Sequence, residues 1–251
     1  MSKIGRCFGA IITAMTLGAA AAAVAEPHIT PVTAPVVVSA PGKEVAKEKM
    51  IYLFHRRDEW SREHFHLHYV ETHAQLGLRW TRNLLGYSVN LIQTPSHTDA
   101  LTEQWVPTAM DMLDAKNSYA SPEDFGHVAA DRISDGKTGY YVVQETVLKG
   151  APQSTPLFQQ TPGVKVIWSY SDAAKLPPVP SGATRVVDNR VTRKLDNSLS
   201  TEDKPVWRAV PSDVAVFRMA WADKLEDLGK PESYADAMIV REYRFRASPW
   251  K

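Results

Sequence analysis

The chain has 251 residues, with 29 basic and 28 acidic side chains, a net charge of +1, 44% apolar residues and one cysteine. A balance so near neutrality argues against a nucleic-acid partner, which selects a basic surface. One cysteine, Cys7, permits no internal disulfide.

Lys3 and Arg6, then the Ala-rich apolar run Ile11 to Ala23, then Ala23-Val24-Ala25 read as a secretory signal peptide over residues 1–25, cleaved near Ala25. The run is short for a membrane span of about 20 residues, so the mature form is expected to be periplasmic or secreted, with no membrane association. Cleavage removes Lys3, Arg6 and Cys7 and takes the net charge from +1 to −1. The mature chain then has neither disulfides nor a thiol nucleophile. Residues 26–46 carry four prolines and read as an extended linker.

Met50 to His55 is rich in apolar and branched residues and reads as a strand, followed by the polar turn Arg56 to Trp60. Ser61 is an N-cap, and a helix should run from it to about Trp80. At about 100° per residue, Phe65, Tyr69, Thr72 and Leu76 form its inward stripe, with His68 about 60° to one side and His73 about 80° to the other. Four of the eight histidines, His64, His66, His68 and His73, lie on this helix, and His55 ends the strand before it.

Leu84 to Thr94 reads as a second strand and Trp105 to Leu113 as a third, with Pro107 suiting an edge. Ser121-Pro122-Glu123-Asp124 opens a second helix, with Phe125, Val128, Ala129 and Ile133 inward. Gly139 to Leu148 is the fourth strand. The order βαββαβ predicts an α+β, ferredoxin-like unit over residues 47–150, one face of its sheet left bare. After a connector at residues 151–163, strands are expected at Val164 to Tyr170, Thr184 to Leu195, Val214 to Trp221 and Ile239 to Arg246. Pro177, Pro178 and Pro180 leave no room for a helix between the first two. Lys224 to Met238 reads as a short helix broken by Gly229 and Pro231. Residues 164–251 therefore look like a degenerate second unit with one helix lost, a repeat legible in element order and not in residue identity.

Ser61, Phe65, Tyr69, His73 and Leu76, after a strand that ends in basic residues, resemble the EthD-type branch of the dimeric α/β-barrel superfamily. The likeness covers residues 48–150. It implies that the bare faces of two ferredoxin-like units meet to close a barrel, here within one chain. It further implies a cofactor-independent lyase or isomerase of aromatic compound catabolism, and it brings His73 into the site. Whether the tandem chain pairs further into a homodimer stays open.

Histidine is the natural acid or base near neutral pH. His55, His68 and His73 are the catalytic candidates, and Tyr52, Tyr69, Trp80, Trp105 and His127 the candidate walls for an aromatic or hydrophobic substrate. One histidine would remove a proton, and another, or Tyr69, would donate one. The bland reading is that a histidine beside an apolar helix face merely fixes the helix. His64, His66 and His68 lie two apart, about 200° from one neighbour to the next on a helix, so the three cannot share a metal ion; His64 and His68 could as an i, i+4 pair, but the sequence places no third ligand, and no metal or other cofactor is expected. Haem held by a histidine, and a non-catalytic periplasmic binder, are the alternatives. The second half carries Arg185, Arg190, Arg193, Arg208, Arg218, Arg241, Arg244 and Arg246, which read as a solvated face or, for a few, an anion-binding cluster.

Overall fold

The computed structural model describes residues 45–96, 98–113, 131, 133–151, 156–195, 213–230 and 237–249. Strand β1 (Glu48–Arg56) alternates Lys49, Ile51 and Leu53 with Met50, Tyr52 and Phe54, and both sets are largely buried. A strand buried on both sides needs a layer on each. Here one layer is a helix and the other is the rest of the same sheet.

Beyond β1 come β2 (Gly86–Ile92), β3 (Ala100–Val106), β4 (Ser134–Lys149), the two-residue β5 (Gln159–Gln160), β6 (Val164–Tyr170), β7 (Arg185–Leu195), β8 (Val216–Ala222) and β9 (Met238–Arg246). All pair antiparallel, in the order β2-β3-β1-β4-β7-β8-β6-β9-β5, and β2 also pairs with β9. The eight long strands thereby form a ring, and β5 extends the β6 side along β9. Gly163 makes the turn between β5 and β6 at φ 77°, where a side chain would strike the carbonyl of Ala222.

The ring is two matched arcs. In β2-β3-β1-β4 and again in β7-β8-β6-β9, the strands of each half follow the order second, third, first, fourth. The registers match as well. Lys49 lies between Trp105 and Val143, and Lys165 lies between Trp221 and Val240. Residue identity between the halves is thus present, at scattered inward positions. Inside the ring Ile51, Leu53, Tyr141, Ile167, Phe217 and Met219 pack together, each buried side chain worth about 1.5–3 kcal/mol.

The helix follows Ser61, whose Oγ accepts the His64 N–H at 3.0 Å, and covers the outer face of the first arc. It is not one α-helix. It runs as α1 (Arg62–His68), a π turn (Tyr69–His73) and α2 (Ala74–Trp80), with the Ala74 N–H donating to the Tyr69 carbonyl five residues back. The extra residue in that turn moves the downstream face by one position. Phe65, Tyr69, Val70, Ala74 and Leu78 are buried, whereas Thr72 and Leu76, expected inward, are only half-buried.

The expected third strand is also corrected. Pro107, which has no N–H for the ladder, stands just beyond the end of β3, and Thr108 Oγ1 accepts the Asp111 N–H to cap a short helix, α3 (Ala109–Leu113). Of Lys224 to Met238, only a 3₁₀ turn at Leu225–Leu228 forms among the described residues. The expected signal segment, nearly all of the expected linker, the helix expected after Ser121 and His127 lie outside the described residues. Among the described residues, no helix is long and apolar enough to cross a membrane.

Candidate functional site

Two histidines of the helix meet on one carboxylate. His68 Nε2 lies 2.6 Å from Asp131 Oδ1, and His73 Nδ1 lies 2.9 Å from Asp131 Oδ2. Five residues apart on an α-helix would set them about 140° apart. The π turn removes most of that angle, since its hydrogen bonds join residues five apart. The irregular turn is therefore what makes this cluster, and Asp131 comes to it from the residues just before β4.

A carboxylate with both oxygens engaged this way accepts from both rings. His68 then presents Nδ1, and His73 presents Nε2, as the nitrogens not bound to Asp131. Burial raises the Asp131 pKa, but the hydrogen bonds from His73 and His68 outweigh it and hold the carboxyl below its ordinary range. The cluster stays reachable, with side-chain exposures of 24% for His68, 16% for His73 and 14% for Asp131. Trp60 stands edge-on to His68 and His64, at 5.0 and 4.6 Å between ring centres, while Phe54 and Tyr69 flank His73 at 6.4 and 5.1 Å.

Not every expected site residue joins this cluster. His55 stands at the β-bulge in β1, with Nδ1 3.6 Å from Asp99 Oδ2. Asp99 is fully buried and also receives Arg56 Nη1 at 2.7 Å and Arg62 Nε at 3.0 Å, so it pins the start of the helix to the end of the strand. His66 completes that anchor, its Nε2 3.1 Å from the Asp99 carbonyl. Burial chiefly, with Arg62 and Arg241 adding to it, pulls the His66 pKa down to about 4 against the Asp99 carbonyl.

Tyr69 is completely buried, and its hydroxyl engages Tyr87 and Thr102. It lies beneath the cluster, its ring edge-on to His73. Tyr52 packs edge-on against Tyr140 at 4.4 Å within the core. Trp105 lies inside the ring, where Lys49 Nζ sits 4.6 Å from its ring centre. Trp80 closes α2, and its side chain lies outside the described part.

Sequence reasoning missed Asp131 and Trp60 as members of this site. Trp60 stands next to the N-cap, where its sequence context signals only a turn. Asp131 had no signal of its own, being 58 residues from one histidine and 63 from the other.

Among the described residues, no three His, Cys, Asp or Glu are grouped to hold a metal ion. Fold and site together define an α+β protein, mostly antiparallel sheet, with two histidines of its outer helix bonded to one aspartate. The chain matches no family model, no curated protein and no solved structure.

Proposed function

We propose that the chain is an exported, cofactor-independent lyase or isomerase for an aromatic or otherwise hydrophobic small molecule, working by histidine acid–base catalysis. The observation that carries the reading is the one carboxylate shared by His68 and His73. An Asp–His pair fixes the ring tautomer and stabilises the imidazolium that forms on proton uptake. Two such pairs on one carboxylate supply a base and an acid side by side.

The cycle starts with one imidazole neutral and the other protonated. The neutral ring takes a proton from a substrate carbon, and the protonated ring gives its own to the leaving oxygen or to a second carbon. The charge is then exchanged between the rings, and solvent resets the pair. Trp60 and Phe54 supply the aromatic wall against which a planar substrate would lie.

The repeated strand order, the matched registers and the closing β2–β9 pairing support reading the fold as tandem ferredoxin-like units in an intramolecular α/β-barrel of the EthD-like kind. On this reading export follows from the leader before Ala25.

The test is a mass-spectrometric turnover screen of the purified protein against lignin-type and other aromatic compounds, run beside His68→Gln and His73→Gln. Turnover that falls at least a hundredfold in both variants, with circular dichroism unchanged, is the expected result. Turnover indifferent to both substitutions would remove the histidines from the chemistry. An intense visible band in the purified protein would instead point to bound haem.

A further inference from the structure

The lysines inside the ring are matched by carboxylates. Lys49 Nζ donates to Glu103 Oε2 at 2.7 Å and to Glu145, and Lys165 Nζ donates to Glu242 at 2.8 Å and to the other oxygen of Glu103. Outside the second arc the position differs. There Glu226 and Asp227, without an ion pair among the described residues, line a groove of about 490 Å³ together with Trp168, Tyr170 and the prolines of the strap between β6 and β7.

The groove stands where the histidine cluster stands in the first arc. The pairings of Lys49 with Trp105 and of Lys165 with Trp221 bring the arcs into one register, on which Tyr52 and Phe54 of β1 become Trp168 and Tyr170 of β6. Phe54 flanks His73, and Tyr170 walls the groove. The cluster is made by the helix between β1 and β2 and by Asp131, between β3 and β4. Their counterparts are the strap and the 3₁₀ turn Leu225–Leu228 between β8 and β9, which carries Glu226 and Asp227.

The strap is fastened at both ends. Arg218 donates to the Pro177 carbonyl while its Nε and Nη2 hold Asp188. At the far end Gly182 lies so close to the Asp227 carbonyl that a side chain there would strike it, and Pro177, Pro178 and Pro180 stiffen the stretch between. A preformed cleft of roughly 300–1,000 Å³ with aromatic and apolar walls and few polar groups has the dimensions of a small-molecule site.

The charge of the lining is one-sided. Its cation, Arg218, is neutralised by Asp188 through bonds of 2.7 and 2.8 Å. Glu226 and Asp227 are exposed, and the lysines of the same segments, Lys175, Lys224 and Lys230, do not line the groove. Asp227 Oδ2 accepts the Lys224 N–H at 3.2 Å, a contact that leaves the charge of the carboxylate in place.

We infer that this groove binds a small aromatic ammonium compound, its ring against Trp168, Tyr170 and the strap and its ammonium toward Glu226 and Asp227. Aromatic faces attract an organic cation, and carboxylates beside them favour it over a neutral or anionic molecule of the same shape. This inference uses none of the histidine cluster and does not depend on the activity proposed for it.

The experiment is calorimetric titration of the full chain with phenethylammonium at constant ionic strength, followed in parallel by the indole N–H resonance of Trp168. The expected result is saturable binding that moves this resonance, that weakens roughly tenfold or more in Glu226→Gln and in Tyr170→Ala, and that is weaker by a similar factor for neutral phenethyl alcohol. Glu226 is exposed, so Glu226→Gln keeps the fold and carries the test if Tyr170→Ala does not. No saturable binding, equal affinity for phenethyl alcohol, binding unchanged in Glu226→Gln, or binding lost in His68→Gln would overturn the assignment.

Discussion

The two arcs of the ring share their strand order and register and differ in what covers them. Tyr52 and Thr102 of the first arc occupy the register places of Trp168 and Arg218 in the second. Over the first pair lies the helix, with Tyr69 engaging Thr102. Over the second lies a proline strap. Arg218 grips Asp188 through two bonds of 2.7 and 2.8 Å and donates to the Pro177 carbonyl, and a groove of about 490 Å³ lies beside the strap. The lesson is that a repeated sheet does not repeat its chemistry. Two histidines meet on one aspartate where a helix with a π turn is anchored.

The largest effect should come from the carboxylate that belongs to the first arc alone. Asp131→Asn keeps the shape but cannot accept from both rings, and turnover should fall about 10²–10⁴-fold. Unfolding by urea should change little, which separates this loss from collapse of the arc.

Next comes the frame that both arcs share. Glu103→Gln removes the charge between Lys49 and Lys165, and it should destabilise by about 3–5 kcal/mol in denaturant titration. A change below about 1 kcal/mol would mean that Glu145 and Glu242 suffice, each arc being complete by itself.

The helix anchor gives a pH-dependent signature. Folded His66 titrates near 4 against an ordinary value of 6.5, so between those values the unfolded chain binds a proton that the folded one refuses. The stability linked to His66 is whole above about pH 6.5 and is lost as the pH falls toward 4, on the order of 3 kcal/mol in all. His66→Gln should flatten that part of the stability–pH curve. A curve of unchanged slope would show that His66 is not desolvated.

The smallest effect is at the cap. Ser61→Ala removes the acceptor for the His64 N–H and should cost about 1 kcal/mol, with the second arc unaffected in hydrogen exchange.

Ser61, the strand at Val164 to Tyr170 and the absence of a full helix near Pro177 were legible because each rests on local chemistry: a cap, an alternation, a missing N–H. His68 and His73 could be singled out on the helix face, but their meeting could not, because a regular helix holds them apart and a π turn leaves no clear mark in the residues. Lys165 reads as a polar place in a strand, and Lys49 lies just before the strand expected at Met50 to His55. Their burial depends on Glu103, Glu145 and Glu242 arriving from other strands.

The sequence by itself determined where most of the strands lie, where the first helix begins and which side chains can hold a proton, since these follow from periodicity, capping and side-chain type. Tertiary structure alone decided that the sheet closes through β2 and β9, that one aspartate joins two histidines, and that two lysines are buried back to back across a shared glutamate. Each of those depends on groups brought together from far along the chain, and a buried charge is tolerable only once such a partner has arrived.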